Sequence, residues 1–275
     1  MRCPTCARIH NAEHRLDRDG GVFACPRGHR FDLARQGYLN LMDGLPAPSG
    51  GDSAAMVSAR IEAFGSGSFG PLVDALTHAC TAAPQPPGCV LDAGAGPGQY
   101  LAAVLAGLPA RDGVACDVSV AAARRAAPTL AGHAVVVGDL WRTIPVHTAS
   151  AALLLNVFAP RNVDEFARVL HPDGRLVVVT PEGDHLHELV RAVGLVSVDP
   201  TKRERLHRGL GTRFTVVDET SLSWSRTLAP QVMRSLVMMG PSAHHVDETE
   251  VLERIGQVPA QVTFSVRVGV YELAG

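Results

Sequence analysis

The chain has 275 residues, a mass of 29.0 kDa and a formal net charge of -2, a length that suits one large domain or a medium domain with a small satellite. With 46% hydrophobic and 19% charged residues, the composition excludes wholesale disorder. The small net charge excludes a strong overall field for nucleic acid, so RNA binding would need a local basic patch. No apolar run reaches the roughly 18 residues of a membrane span, which predicts no membrane partner.

The amino-terminal segment is a candidate metal site. Cys3-x2-Cys6 is followed by Cys25-x3-His29, and two such knuckles, each presenting two ligands, are how zinc ribbons build a closed tetrahedral site. Because four protein ligands leave no open position, we expect a structural zinc ion there. His10 and His14 are less suitably spaced alternatives. Cysteines that serve a metal rather than disulfides also favour a cytoplasmic location.

A linker divides the chain. Residues 43–51 (DGLPAPSGG) are rich in Pro, Gly and Ser, a composition typical of connecting segments. We therefore expect a zinc-binding module at 1–42, a linker at 43–51 and a larger domain at 52–275. Within the module, Asp19-Gly20-Gly21 predicts a hairpin turn.

The larger domain alternates helical and strand patterns, as βα units require. The predicted helices cover 52–63, 71–83, 100–106, 118–127, 163–170 and 228–239. The predicted strands cover the apolar stretch from 89, then 113–116, 134–137, 151–157, 175–180, 214–224 and 261–271, with a turn at 171–174. This order predicts an α/β fold with a Rossmann-like sheet.

A glycine-rich loop follows the first of these strands. The stretch CVLDAGAGPGQY at 89–100 lets the backbone approach a ligand closely before a helix begins. Asp92 precedes Gly94, Gly96 and Gly98, and an acid at that point would repel a pyrophosphate. It suits a cation, such as the ammonium group of S-adenosylmethionine.

Acidic residues also end the next two strands, where ligands of such sheets gather. We expect Asp117 to bind the ribose hydroxyls of the cofactor and Asp139 to hold the adenine amino group. Taken singly, each could instead be an ordinary turn or cap residue. Together with the loop, they favour a methyltransferase with a Rossmann-like class I sheet and a small amino-terminal zinc-binding domain.

The sequence resembles the 23S ribosomal RNA guanine-N1 methyltransferases, which include members that give resistance to macrolides such as tylosin and mycinamicin. The resemblance covers nearly the whole chain. The matching pieces are the zinc knuckles, FDLARQGYLNLM at 31–42, Asp52-Ser53 with Ala59-Arg60, LDAGAGPG at 91–98, VFAP at 157–160, RVLHPDGRLVVVTP at 168–181, HLHEL at 185–189 and LVMMGPSAHH at 236–245.

The resemblance implies zinc at the four knuckle residues and S-adenosylmethionine as methyl donor. It implies cofactor contacts at Gly96 and Pro97, and at Phe69 and His185. Phe69 and Phe158 stand where the family pattern has Tyr, which argues against a phenolic base at Phe158. His185 could otherwise belong to an exposed helix. The resemblance also implies a seven-stranded sheet with an antiparallel end and a homodimer that cradles an RNA hairpin.

Substrate residues are predicted at the end of strand 151–157. Phe158 would stack on a guanine splayed out of a hairpin loop, although it could be a core aromatic. The Asn156 amide would orient the guanine edge. Asp139 and His185 are candidates for a base by location only, and the sequence identifies none. The basic stretch 200–213, with Lys202, and the arginines of the zinc module would bind phosphates.

Two other functions fit parts of the pattern. A small-molecule methyltransferase of an antibiotic pathway would suit the slightly acidic balance. A zinc-ribbon RNA-binding protein with an inactive methyltransferase domain would bind cofactor without methylating RNA.

Overall fold

A computed structural model describes residues 1–42, 51–194, 209–240, 248–256 and 260–275. Most of the predicted linker and most of the predicted basic stretch, 43–50 and 200–208, lie outside the described residues.

The described residues form nine helices and eleven strands that carry labels here. The helices are α1 Pro4–His10, α2 Ala54–Gly65, α3 Gly70–Ala82, α4 Gln99–Gly107, α5 Val120–Thr129, α6 Val163–Val169, α7 His187–Val193, α8 Pro230–Met238 and α9 Glu248–Ile255. The strands are β1 Asp17–Asp19, β2 Val22–Ala24, β3 Arg30–Asp32, β4 Leu39–Asn40, β5 Cys89–Ala93, β6 Gly113–Asp117, β7 Ala134–Val137, β8 Ala151–Val157, β9 Leu170–Pro181, β10 Phe214–Thr227 and β11 Gln261–Leu273.

One large sheet dominates the molecule, with strand order β10-β11-β9-β8-β5-β6-β7-β4. Strands β5 to β9 run parallel, whereas β11 lies antiparallel between β9 and β10. This arrangement confirms the predicted class I methyltransferase sheet with an antiparallel end. The polarity brings the carboxyl ends of β5, β6, β7 and β8 to one edge, where the predicted site residues lie.

Local sequence signals account for most helix starts. Ser53, Ser119 and Asn162 each cap a helix, with a side-chain oxygen that accepts a backbone N–H three residues on, as short polar residues do at this position. The helix predicted at 52–63 accordingly begins one residue after its Ser cap.

The predicted turn at 171–174 is different in the structure. Strand β9 continues through these residues, and its pairing with β8 jumps from Ala151–Leu170 to Leu153–Arg175. Pro172 has no N–H to give to the ladder, which interrupts regular pairing. The turn residues therefore form a bulge within one long strand.

Apolar side chains cover both faces of the sheet. Strand β8 is buried along its whole length, as expected for a central parallel strand with helices on both sides. Helices α2 to α5 contribute to the core on one face, and α6 and the zinc module contribute to the core on the other.

The amino-terminal module is joined to the large sheet. Its strand β4 pairs in parallel with β7, through Leu39–Val136 and Asn40–Val137, and adds an eighth strand to the seven that were expected. Glu13 accepts a hydrogen bond from the Thr148 hydroxyl and lies 3.4 Å from an Arg168 nitrogen. The module is thus held by a strand edge and by a charge cluster.

None of the helices in the part of the chain that the structure describes combines the length and the apolar character needed to cross a bilayer.

Candidate metal centre and active site

The four knuckle side chains converge on one point. The Sγ atoms of Cys6 and Cys25 lie 3.6 Å apart, and the Nδ1 atom of His29 lies 3.6 Å from the Sγ of Cys3 and 3.3 Å from the other two Sγ atoms. A tetrahedral zinc ion would place its sulfur ligands about 3.8 Å apart and sulfur and nitrogen about 3.6 Å apart. The donor set and the spacing therefore fit zinc, as predicted.

Two thiols of the cluster differ in the direction of their pKa shift. Burial raises the pKa of Cys6 to about 12. Burial acts in the same direction on Cys25, but backbone hydrogen bonds at His29 and Arg27 outweigh it and lower the pKa of that thiol to about 7. A divalent ion at the centre would favour both thiolates. His10 lies outside the cluster, so it is a suitable control residue.

The loop between β5 and α4 is built around Asp117. The Oδ2 atom of Asp117 accepts the Gly96 N–H at 2.8 Å, and its Oδ1 atom accepts the Ser119 N–H at 2.8 Å. Each carboxylate oxygen keeps a lone pair for a second donor. Burial raises the pKa of Asp117, although the two N–H bonds oppose the rise. The carboxylate is thus fixed at the edge of the sheet, as a ribose-binding residue requires.

Asp92 is the second acid of this edge, and one of its oxygens lacks a partner among the described residues. It is 1% exposed, and its Oδ1 atom has no hydrogen-bond partner among the described residues. Burial, with a contribution from the Asp117 carboxylate, raises the pKa of Asp92 to about 8. A buried carboxyl without a partner is costly unless a ligand satisfies it. This orphaned oxygen fits the cationic end of S-adenosylmethionine.

The raised pKa of Asp92 predicts an unusual pH dependence of stability. At neutral pH the folded protein keeps the Asp92 proton, whereas the unfolded chain has lost it. The free energy of unfolding should therefore fall as pH rises from about 4 to about 8, with a limiting slope near 1.4 kcal/mol per pH unit for one proton. Asp92→Asn should remove this part of the slope in urea titrations of the cofactor-free protein.

The matched control is Asp112→Asn, at the exposed amino end of β6. An identical pH slope in wild type and Asp92→Asn would contradict a protonated Asp92.

Glycines let this loop pack against the neighbouring one. Gly94 has φ +93°, and a Cβ atom there would lie 2.3 Å from the Cβ of Ala159, so only glycine fits. Gly96 and Gly98 also have positive φ, which other residues rarely adopt. With Pro97 between them, they bring the backbone of the loop over the ends of β5 and β6, where the predicted cofactor contacts lie.

Asn156 holds the end of β8 in place. Its side-chain Nδ2 donates to the carbonyls of Ala93 and Pro160, at 3.0 and 2.9 Å, and its Oδ1 atom is buried without a partner among the described residues. The amide nitrogen is thus committed to the backbone at the end of β5 and after Phe158. The predicted role of Asn156 at the guanine edge stays a prediction, and the oxygen without a partner is itself buried.

The Phe158 ring is exposed to solvent instead of being packed in the core. It is 41% exposed, has φ +53°, and its N–H donates to the Val179 carbonyl at 3.1 Å. A positive φ is uncommon for a bulky residue, so the turn that Asn156 holds keeps this ring at the surface. An exposed aromatic ring at the carboxyl edge is what stacking on an RNA base requires.

The other predicted aromatic contacts form a row with Phe158. The His185 ring lies 5.8 Å from Phe158 and 6.0 Å from Phe264, and Phe69 lies 5.4 Å from Phe264. Phe69 is 4% exposed and precedes α3. The structure therefore connects His185 and Phe69 through Phe264, and their contacts with the cofactor stay a prediction, although Phe69 is a core residue.

His185 precedes α7 instead of lying on it. Its Nδ1 accepts the Ser265 N–H at 3.2 Å, and burial lowers its pKa to about 4. The neutral ring then carries its proton on Nε2. His185 is thus a hydrogen-bond donor at neutral pH and a poor base.

Asp139 is engaged within its own turn. Its Oδ1 accepts the Trp141 N–H at 2.9 Å, and its Oδ2 lies 3.2 Å from Arg142 Nε. Its contact with the adenine amino group stays a prediction. That contact would use the lone pairs that Asp139 has left.

A pocket opens beside Phe158 that the sequence did not reveal. It has a volume of about 280 Å³ and is lined by residues 158–161 and 179–181. It includes Arg161, which sequence reasoning missed. The only available signal was a basic residue directly after the VFAP stretch. Of the predicted basic stretch, Arg213 is described, and it pairs with Asp164 at 3.0 Å.

Comparisons with known proteins cover nearly the whole chain. Residues 1–46 match the family model for the RlmA amino-terminal zinc ribbon. A protein of Micromonospora griseorubida assigned as a 23S rRNA guanine-N1 methyltransferase is 42% identical, across 98% of this chain and 96% of the relative. The 23S rRNA (guanine(748)-N(1))-methyltransferase of Streptomyces fradiae is 40% identical, across 97% of this chain and 94% of the relative.

Solved structures support the fold alone. A chain from the Haloferax volcanii complex of the Trm112 activator with a methyltransferase has a TM-score of 0.52 and 17% identity, and covers 83% of this chain and 100% of that chain. A Bacillus halodurans protein assigned as a methyltransferase has a TM-score of 0.51 and 15% identity, and covers 72% of this chain and 97% of that chain.

Proposed function

This chain belongs to the 23S rRNA guanine-N1 methyltransferase family, and we propose that its carboxyl-edge site methylates N1 of a guanine in a hairpin loop of 23S rRNA. The observation that carries the proposal is the similarity of about 40% over both parts of the chain at once. A small-molecule enzyme would have no use for a zinc ribbon of this RNA-modifying family.

The proposed cofactor-binding residues act by binding and orienting S-adenosylmethionine. We infer that Asp117 accepts the ribose hydroxyls and that Asp92 faces the ammonium group of S-adenosylmethionine. The contacts proposed for Gly96, Pro97, Phe69 and His185 would complete the site. Once bound, S-adenosylmethionine supplies an electrophilic methyl group on its sulfonium. The task of the chain is then to hold guanine N1 in line with that methyl group, which lowers the barrier by orientation.

The substrate enters beside Phe158. The exposed ring gives a splayed guanine a face to stack on, and the adjacent pocket has room for the edge of the base. The zinc module and the basic stretch at 200–213 would hold the RNA backbone through phosphate contacts, which makes binding sensitive to salt. The reaction belongs in the cytoplasm, where its rRNA substrate is.

The function is tested by offering competing substrates. Purified protein with labelled S-adenosylmethionine should methylate protein-free 23S rRNA, but neither 16S rRNA nor a macrolide. Label in the macrolide alone would favour the small-molecule reading. Cofactor binding without label in any acceptor would favour an inactive methyltransferase domain.

Substitution of Phe158 tests the stacking role. Phe158→Ala should slow RNA methylation by about 10- to 100-fold, because one base-aromatic stack is worth about 1–3 kcal/mol. Its affinity for S-adenosylmethionine should match that of wild type. Phe158→Tyr keeps the ring and should stay close to wild type in rate.

A matched control for Phe158 is Val216→Ala, which removes another exposed apolar side chain, on β10. Wild-type methylation by Phe158→Ala, measured under single-turnover conditions, would exclude stacking on this ring.

Macrolide resistance is a further proposal. The resemblance includes members that give such resistance, and the relatives at 42% and 40% identity come from Micromonospora and Streptomyces. Expression in a macrolide-sensitive host should raise the inhibitory concentration of tylosin, whereas Asp117→Ala should not. Equal sensitivity of cells with and without the active protein would indicate a housekeeping role.

A homodimer that cradles the RNA hairpin is proposed from the family resemblance. Sedimentation of the protein with and without the hairpin tests it, since a dimer on RNA should carry two protein chains per hairpin.

A further inference from the structure

Arg161 is the charged residue of the pocket beside Phe158. It follows the 158–160 turn directly and shares the pocket with Phe158, Thr180 and Pro181. The turn is fixed from two sides, by the Asn156 amide on Pro160 and by the Val179 carbonyl on the Phe158 N–H. The guanidinium therefore starts from a rigid anchor next to the ring that we propose to stack on guanine.

No carboxylate pairs with Arg161 among the described residues. Two acids of this part of the sheet, Glu182 directly after β9 and Glu219 within β10, already contact another arginine. Arg267 contacts Glu182 through Nε at 3.0 Å and Glu219 through Nη1 at 2.8 Å. A guanidinium that is partly withdrawn from water without an acid partner carries a desolvation cost, which an incoming acceptor would offset.

The electrostatic surroundings of Arg161 point the same way. Burial lowers the pKa of Arg161, and the ionisable group that acts on it is the Tyr271 phenol on β11. His185, whose ring lies 5.8 Å from that of Phe158, is neutral because burial lowers its pKa to about 4. The pocket thus holds one positive charge and offers it to an incoming acceptor.

The reaction creates the acceptor that such a charge suits. Guanine N1 carries a proton at neutral pH, and the nitrogen is a poor nucleophile until that proton leaves. After that loss, the negative charge is shared between N1 and O6 of the base. A preorganised donor aimed at an oxygen that gains charge is the main device by which enzymes stabilise such states.

We propose that Arg161 donates hydrogen bonds to O6 of the target guanine and stabilises the base in its N1-deprotonated form. The inference rests on the proposed function of this site. The N1 proton passes to solvent water. The N1 electron pair then forms the bond to the methyl carbon, the carbon–sulfur bond breaks with its pair moving to sulfur, and O6 returns to a neutral carbonyl.

The same contact selects the base. Adenine carries an amino group at the position of O6, and a guanidinium has only donors to offer. Adenine in the pocket would therefore place donor against donor, which leaves the buried charge unsatisfied. Arg161 would thus determine specificity for guanine as well as rate.

The test combines a residue change with a change of one substrate atom. Arg161→Ala, Arg161→Lys and wild type are compared under single-turnover conditions on a 23S hairpin RNA. A second RNA carries 6-thioguanosine at the target, where the sulfur is a weak acceptor. Arg125→Ala, which removes an exposed arginine of α5, is the control for loss of positive charge. S-adenosylmethionine affinity and unfolding midpoints show that each variant is folded.

On guanine RNA, Arg161→Ala should be about 100-fold slower than wild type, as when one oxyanion donor is removed. Its rate should reach the wild-type value only about two pH units higher, since the rate of a deprotonated nucleophile changes tenfold per unit. On thioguanine RNA, the same substitution should cost about tenfold or less. Arg161→Lys should keep part of the rate, because it restores the charge without the planar fork.

Several results would overturn the inference. A rate within about twofold of wild type would show that Arg161 is not needed, since one lost donor costs far more. An equal loss of rate on both RNAs would indicate a phosphate contact instead. The same conclusion would follow if KM for RNA rose, RNA binding depended less steeply on salt, and the pH profile of the rate were unchanged. If wild type itself methylated neither RNA, the proposed function would be overturned. This outcome differs from failure of the Arg161 inference, in which wild type is active.

Discussion

Asp117→Ala should bind S-adenosylmethionine at least about 100-fold more weakly than wild type. Both carboxylate oxygens are held by backbone N–H groups of Gly96 and Ser119, so their free lone pairs are already aimed at the ligand. A hydrogen bond to a charged group is worth about 1.5–3 kcal/mol, and two are lost here. Calorimetric titration of the cofactor measures the effect directly.

The control for Asp117 lies directly before the first residue of the same strand. Asp112→Ala removes an exposed acid from the opposite end of β6 and should leave cofactor affinity unchanged. The unfolding midpoint of each cofactor-free variant separates lost contacts from a disordered loop. Unchanged affinity in a folded Asp117→Ala variant would remove the ribose contact from the account.

Loss of the zinc ligands has the second large expected effect. Cys6→Ser should abolish zinc binding, because a structural site needs all four ligands and contributes on the order of 10 kcal/mol to folding. The module has four short strands and one short helix, too little to fold without a metal. Unfolding it would also remove β4 from the edge of the large sheet.

The measurements are zinc content by elemental analysis, RNA affinity and cofactor affinity. We expect zinc content and RNA affinity to be lost and cofactor affinity to be largely kept, because none of the residues proposed to contact the cofactor belongs to the module. His10→Ala, which leaves the four ligands intact, should retain zinc. Retention of one zinc ion per chain by Cys6→Ser would show that the metal is held elsewhere.

The backbone of the sheet could be predicted because its signals are local. Ser caps, the Gly-rich loop and alternating apolar stretches each constrain a few neighbouring residues. The boundaries of β7 and β8 were predicted to the residue. The bulge at 171–174 was not, because a Pro-Asp-Gly stretch has the same local pattern in a turn and within a bulged strand.

The site residues could be predicted only where the local sequence pattern places a residue at the end of a strand. The acids at strand ends follow from topology. The commitment of the Asn156 amide to two carbonyls, and the isolation of Arg161 from any described acid, depend on contacts between distant segments. The docking of Leu39–Asn40 onto β7 likewise depends on tertiary packing, because a two-residue strand has no periodic pattern.

The central claim is that this site methylates guanine N1 in 23S rRNA. Its most direct test is primer extension on 23S rRNA after reaction with wild type and with Asp117→Ala, since a methyl group on N1 blocks base pairing and stops reverse transcriptase. The account predicts one discrete stop at a hairpin-loop guanine with wild type and none with the variant. Methylated RNA without a stop, or a stop at a base other than guanine, would contradict it.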